Sequence, residues 1–93
     1  MENARQAILE LLLDLARIPS VTRSAGEVEA GRFIHSWLSG KDYFRDHPDN
    51  IRFIPVPGDS FGRGAVMAVV EAEPAVEETV ILTGHFDVVG TED

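Results

Sequence analysis

The 93-residue sequence has no cysteine. Disulfides and thiolate metal sites are therefore excluded, and the chain is compatible with a reducing compartment. It is short of basic residues, with 8 Lys and Arg against 16 Asp and Glu, a formal net charge of -8. An acidic chain with no basic footprint is a poor partner for nucleic acid or an anionic membrane surface. No apolar run is long enough to cross a bilayer, and Met1-Glu2-Asn3-Ala4-Arg5 lacks the basic start and apolar core of a signal peptide. These absences lead to the expectation of a cytoplasmic protein. No Gly-x-Ser-x-Gly elbow is present. The glycines at 62 and 64 come without the lysine of a phosphate-binding loop. Glu71, Glu73, Glu77 and Glu78 show no regular ligand spacing and read as solvated strand ends and turns, not a calcium site.

With 44% hydrophobic and 26% charged residues, the sequence has ordinary globular usage. Its length allows one small domain. Residues 3–17 read as a helix, with Ala4, Ile8, Leu11, Leu12 and Leu15 on one face. Leu9, Leu13 and Ala16 widen that stripe, so burial on more than one side is expected. Pro19 should end the helix at Ile18. A second helix should start near Ser24, because Ser24 and Glu27 have capping-box spacing. Ala30, Phe33, Ile34, Trp37 and Leu38 form its apolar stripe, the aromatic residues being read as core, and Gly40 is placed to follow its end.

Residues 41–50 read as a polar connection with a turn at 46–50. Three strands are then expected. Ile51 to Val56 is a short edge strand closed by Pro55 and Pro57. Ala65 to Ala72 is nearly continuously apolar, and Thr79 to Thr83 carries Val80, Ile81 and Leu82. Strands apolar on both faces need cover on both faces. The fold class is α/β, two N-terminal helices packed on a mixed β-sheet. A third strand ending next to Glu92-Asp93, with no helix after it, reads as part of a larger domain.

The chemistry concentrates in Thr79 to Val89, where an apolar run leads into Gly84, His85 and Asp87. Ligands of open α/β sheets bind beyond the carboxyl ends of strands. Residues two apart in extended backbone point to the same side. A His and a carboxylate placed so can make part of a metal site, with Asp87 either ligating or supporting the His. The same spacing also fits a His that caps a strand end and an Asp that starts a turn. A zinc site needs three or four protein ligands, or three and a water, and this region offers one good one. His35, beside the apolar stripe, and His47, before Pro48, read as surface or partly buried side chains. Ser20 and Thr22 suit local turn hydrogen bonds.

Gly84-His85-Phe86-Asp87-Val88-Val89 after an apolar run resembles the first metal motif of the M20 family of dinuclear zinc metallopeptidases and deacylases. Leu11 to Thr22 resembles that family's opening helix and its Ile-Pro-Ser-Val turn, and Gly26 to Leu38 its second helix. Gly62 to Val66 resembles the approach to its second strand. The four motifs occur in the family's order and cover essentially the whole sequence. Tyr43 to Asn50, together with Gly-His-Phe-Asp, looks most like the arginine-utilisation branch.

The resemblance implies that residues 1–93 are the N-terminal portion of an α/β/α zinc-peptidase-like catalytic domain, without the lid or dimerisation domain. It implies two zinc ions in the longer protein, His85 as a ligand to one of them, and Asp87 as the catalytic-site carboxylate that supports His85. The bridging Asp, the Glu pair with the general base and the other ligands would lie later in the chain. The implied reaction is cleavage of a peptide or N-acyl amino acid by metal-activated water. The 93 residues alone are then expected to be inactive, to bind zinc weakly at best, and to associate with themselves through exposed apolar surface. The alternative from a different class is a non-catalytic α/β binding or assembly module.

Overall fold

The structure, a computed structural model, describes residues 2–90. Helix α1 spans Glu2–Ala16 and helix α2 spans Ala25–Ser39. A five-residue helix α3, Asp42–Asp46, and a 3-10 turn, Pro48–Asn50, follow. Strands β1, Ile51–Pro55, and β2, Gly64–Ala68, pair antiparallel, with Ile51 opposite Ala68 and Pro55 opposite Gly64. The class is α/β. None of these helices is long and apolar enough to cross a membrane.

Both long helices form where the apolar periodicity places them, and α2 packs on both strands of the sheet. Its buried positions are small residues, Gly26, Ala30 and Gly31; Gly31 faces Phe53 of β1, whereas Gly26 faces the turn at Pro19. Phe33, Ile34, Trp37 and Leu38 are half-buried. The rings of Phe53 and Phe86 meet the backbone at Gly31, where a β-carbon would lie 3.1 Å from the Phe86 ring. A ring can approach the helix backbone this closely only where no side chain stands between them. The expectation that α1 is buried on more than one side is not met. Ile8, Leu9, Leu12 and Leu13 are all exposed, and only Ala7, Leu11 and Leu15 are half-buried.

Start signals hold in position and shift in detail. Ser24 is the N-cap of α2, yet its hydroxyl donates to the Val21 carbonyl at 2.6 Å. The Glu27 carboxylate accepts from the Arg23 amide at 2.7 Å, one residue earlier than a capping box would place it. The connection at 41–50 is not a plain polar loop. Its centre is Tyr43, whose ring stacks on His47 with centroids 4.3 Å apart. The Tyr43 hydroxyl accepts from the Glu71 amide at 2.9 Å and from Asn50 Nδ2 at 3.3 Å. This ties the turn to the far end of the hairpin and leaves Phe44 buried.

Three strand expectations need correction. The second strand stops at Ala68 instead of Ala72, and the sheet is antiparallel, not mixed. Residues 79–83 form no strand: Val80, Ile81 and Leu82 are 84%, 79% and 91% exposed. A strand exists only where a neighbour takes its backbone hydrogen bonds, and no described residue pairs with this segment. The radius of gyration, 15.2 Å, exceeds the roughly 12 Å of a compact domain of this length. The reading of Glu92-Asp93 lies outside the described residues.

The β1–β2 connection carries a charge pair joined by several hydrogen bonds. Asp59 Oδ1 accepts from Arg63 Nη2 at 2.7 Å and Nε at 3.0 Å, and Asp59 Oδ2 accepts from the Arg63 amide at 2.8 Å. Arg63 also lies 3.6 Å from Glu27, joining this turn to α2. The Arg63 side chain and then its amide hold the Asp59 carboxyl at about 2, against 3.8 ordinarily. A carboxyl whose folded pKa is depressed stabilises the fold above its unfolded pKa, and that contribution fades as pH falls through the folded value. Between about pH 4 and about pH 2, unfolding free energy should therefore drop more steeply in the natural sequence than in Asp59→Asn. Denaturant titrations across that window check this, and parallel slopes would refute it.

Candidate functional site

The His85–Asp87 segment is held by pairing at a distance in the chain. The Val88 amide donates to the Ser20 carbonyl at 2.8 Å, and the Thr22 amide donates to the Val88 carbonyl at 2.9 Å. This is a parallel bridge between Val21 and Val88. The turn after α1 can offer these groups because Pro19 ends helical geometry there. The turn is tightened by the Ser20 amide on Ile18 O and the Val21 amide on Pro19 O, at 2.8 and 2.9 Å. Ser20 itself is buried.

Extended backbone alternates side chains, and the motif follows that rule. Phe86 turns inward to the Gly31 backbone. His85 and Asp87 turn outward together. His85 Nδ1 lies 3.1 Å from Asp87 Oδ1 and 3.2 Å from the Asp87 carbonyl oxygen. The other carboxylate oxygen, Oδ2, accepts from the Thr22 hydroxyl at 2.6 Å. That bond, followed by the His85 contact, holds the Asp87 carboxyl below its ordinary pKa. Asp87 is thus an anion that can only accept, so the proton in the His85 contact sits on Nδ1. In the neutral ring the free lone pair is then on Nε2. The His85 side chain is 86% exposed, whereas that of Asp87 is 30% exposed.

A metal-binding imidazole commonly gives its other N–H to a carboxylate, which fixes tautomer and orientation. His85 and Asp87 fit that arrangement for a single zinc ligand. They do not make a coordination sphere: among the described residues, no three His, Asp or Glu side chains converge. His47 is occupied with Tyr43, its Nδ1 2.9 Å from the Tyr43 carbonyl oxygen. His35 lies half-buried on α2 beside Arg32, Ser36 and Phe53. The acidic residues at 71–78 are exposed and form no ligand cluster.

The structure brings together the two residues singled out in the sequence and adds a third, Thr22. Its hydroxyl does not stay in its local turn, as expected, but reaches 65 positions along the chain to Asp87. Nothing in the local pattern could have found it, since only the Val21–Val88 pairing sets the two side by side. The strand expected to lead into His85 is also absent, and the bridge to residue 21 does its positioning.

Over 91 residues, 98% of this chain, the sequence is 37% identical to the uncharacterized protein YqjN of Bacillus subtilis (strain 168). Over the same share it is 28% identical to Protein RocB of the same organism. The chain spans only 16% of the length of either relative. No family model matches it, and no solved structure matches it.

Proposed function

We propose that this chain forms the N-terminal part of the catalytic domain of a zinc-dependent hydrolase that cleaves a peptide or N-acyl amino acid bond. The observation that carries the reading is the His85–Asp87 pair: an exposed imidazole whose Nδ1 is turned onto a carboxylate and whose Nε2 is left to ligate. The motif resemblance to zinc peptidases supplies the reaction class. Similarity to Protein RocB along nearly the whole chain supports the finer reading, the arginine-utilisation branch that Tyr43 to Asn50 resembles.

His85 would hold one of two zinc ions, and Asp87 would keep its ring in the ligating tautomer. When bound, zinc supplies Lewis-acid polarisation of the substrate carbonyl and acidifies water. Within these residues the work is orientation: Phe86 anchors the segment against α2, and the bridge to Val21 fixes its direction. A cytoplasmic location and self-association of the longer protein belong to the same proposal.

The test is hydrolysis of N-acyl amino acids and dipeptides by the whole protein that carries this segment. Release of amino acid, abolished by a chelator and restored by zinc, is expected. Full activity in the presence of chelator would overturn the zinc reading. Failure to turn over any acylated substrate, with no zinc bound, would favour the binding module.

A further inference from the structure

We propose that Thr22 is a positioning residue for zinc binding: its hydroxyl fixes the Asp87 carboxylate, and through it the ligating orientation of His85. The inference rests on the zinc reading above.

A carboxylate turns about its last torsion over a broad range, and His85 Nδ1 has a second acceptor close by, the Asp87 carbonyl oxygen at 3.2 Å. Something must aim the carboxylate if Oδ1 is to be the imidazole's partner. Thr22 does so from the other side, donating to Oδ2 at 2.6 Å. That is the short contact of a hydroxyl on an ionised acceptor. The same hydroxyl lies 3.2 Å from the Val88 carbonyl oxygen, the longer and uncharged alternative. Thr22 is held for the task twice over. Its amide pairs with Val88 at 2.9 Å, and its β-branch restricts χ1. One carboxylate is thereby gripped at both oxygens by residues 22 and 85, while the ring of His85 remains open to solvent.

The test is zinc affinity of the whole protein, measured by competition with a chromophoric chelator, with no reliance on turnover. Thr22→Val keeps the branched shape and the backbone pairing but removes the donor. It should weaken zinc binding about 10–100-fold, the usual effect of losing a partner behind a ligand. Thr22→Ala should do the same, and Thr22→Ser should restore affinity to within about 3-fold. Ser24→Ala removes a hydrogen bond from the same turn, Ser24 to the Val21 carbonyl, without touching Asp87, and should leave zinc affinity unchanged. Natural affinity in Thr22→Val overturns the proposal, as does an equal loss in Thr22→Ser or in Ser24→Ala. His85→Ala separates the two levels. Zinc lost in His85→Ala and retained in Thr22→Val refutes Thr22 alone. Zinc retained in both refutes the zinc reading and this inference together.

Discussion

Replacing His85 by Ala should cost the whole protein about one zinc ion per chain and lower hydrolysis by roughly 10³-fold or more. The argument starts from what the side chain does not do. At 86% exposure it fills no core, and among the described residues its hydrogen bonds go only to Asp87. Exposed side chains of this kind change stability by about 0.5 kcal/mol or less when replaced. Loss of zinc in a protein that melts as the zinc-free natural protein does would therefore report coordination and not collapse. Unchanged zinc content, by metal analysis of the purified variant, would make His85 a surface residue and favour a non-catalytic module.

The second large effect is at Gly26, near the start of α2. Helix propensity alone predicts that Gly26→Ala stabilises, by up to about 1 kcal/mol. The packing predicts the reverse. A β-carbon there would sit 1.7 Å from the Pro19 carbonyl oxygen and 2.5 Å from its carbon. Those atoms belong to the backbone of the turn that carries Thr22 and pairs with Val88, so no side-chain rotation relieves the clash. Either α2 or the turn must move. The expected cost is about 3 kcal/mol, seen as a lowered denaturation midpoint. Zinc affinity should fall with it, because displacing the turn separates Thr22 from Asp87. A midpoint raised by the substitution would mean that the turn does not pack on α2 as described.

The parts of the fold legible in the sequence are those governed by local periodicity. The 3.6-residue stripes of α1 and α2, the stop at Pro19 and the strand around Phe53 follow from neighbours along the chain. What local patterns miss is the partner. Leu12 and Leu13 look like core residues, yet they are exposed, because burial depends on what a helix faces. Val80-Ile81-Leu82 has strand composition, but no described residue pairs with it. Conversely, Gly26 and Gly31 look unremarkable in the sequence and are where α2 is buried most closely. The helix at Asp42–Asp46 is too short to show a period at all, and its order comes from the Tyr43 hydroxyl bonds across to 50 and 71.

The candidate site divides in the same way. His85 and Asp87 were visible because alternation in extended backbone places residues two apart on one side. Thr22 was not, since its place beside Asp87, 65 residues away, follows from the Val21–Val88 bridge.

The most direct measurement is the position of zinc in a crystal of the zinc-loaded whole protein, located by anomalous scattering at the zinc edge. The account predicts a peak about 2.0–2.1 Å from His85 Nε2, with Asp87 still on Nδ1 and Thr22 still on the other carboxylate oxygen. Zinc on Nδ1, which would require Asp87 to give up the ring, or zinc bound elsewhere with His85 left free, would contradict it.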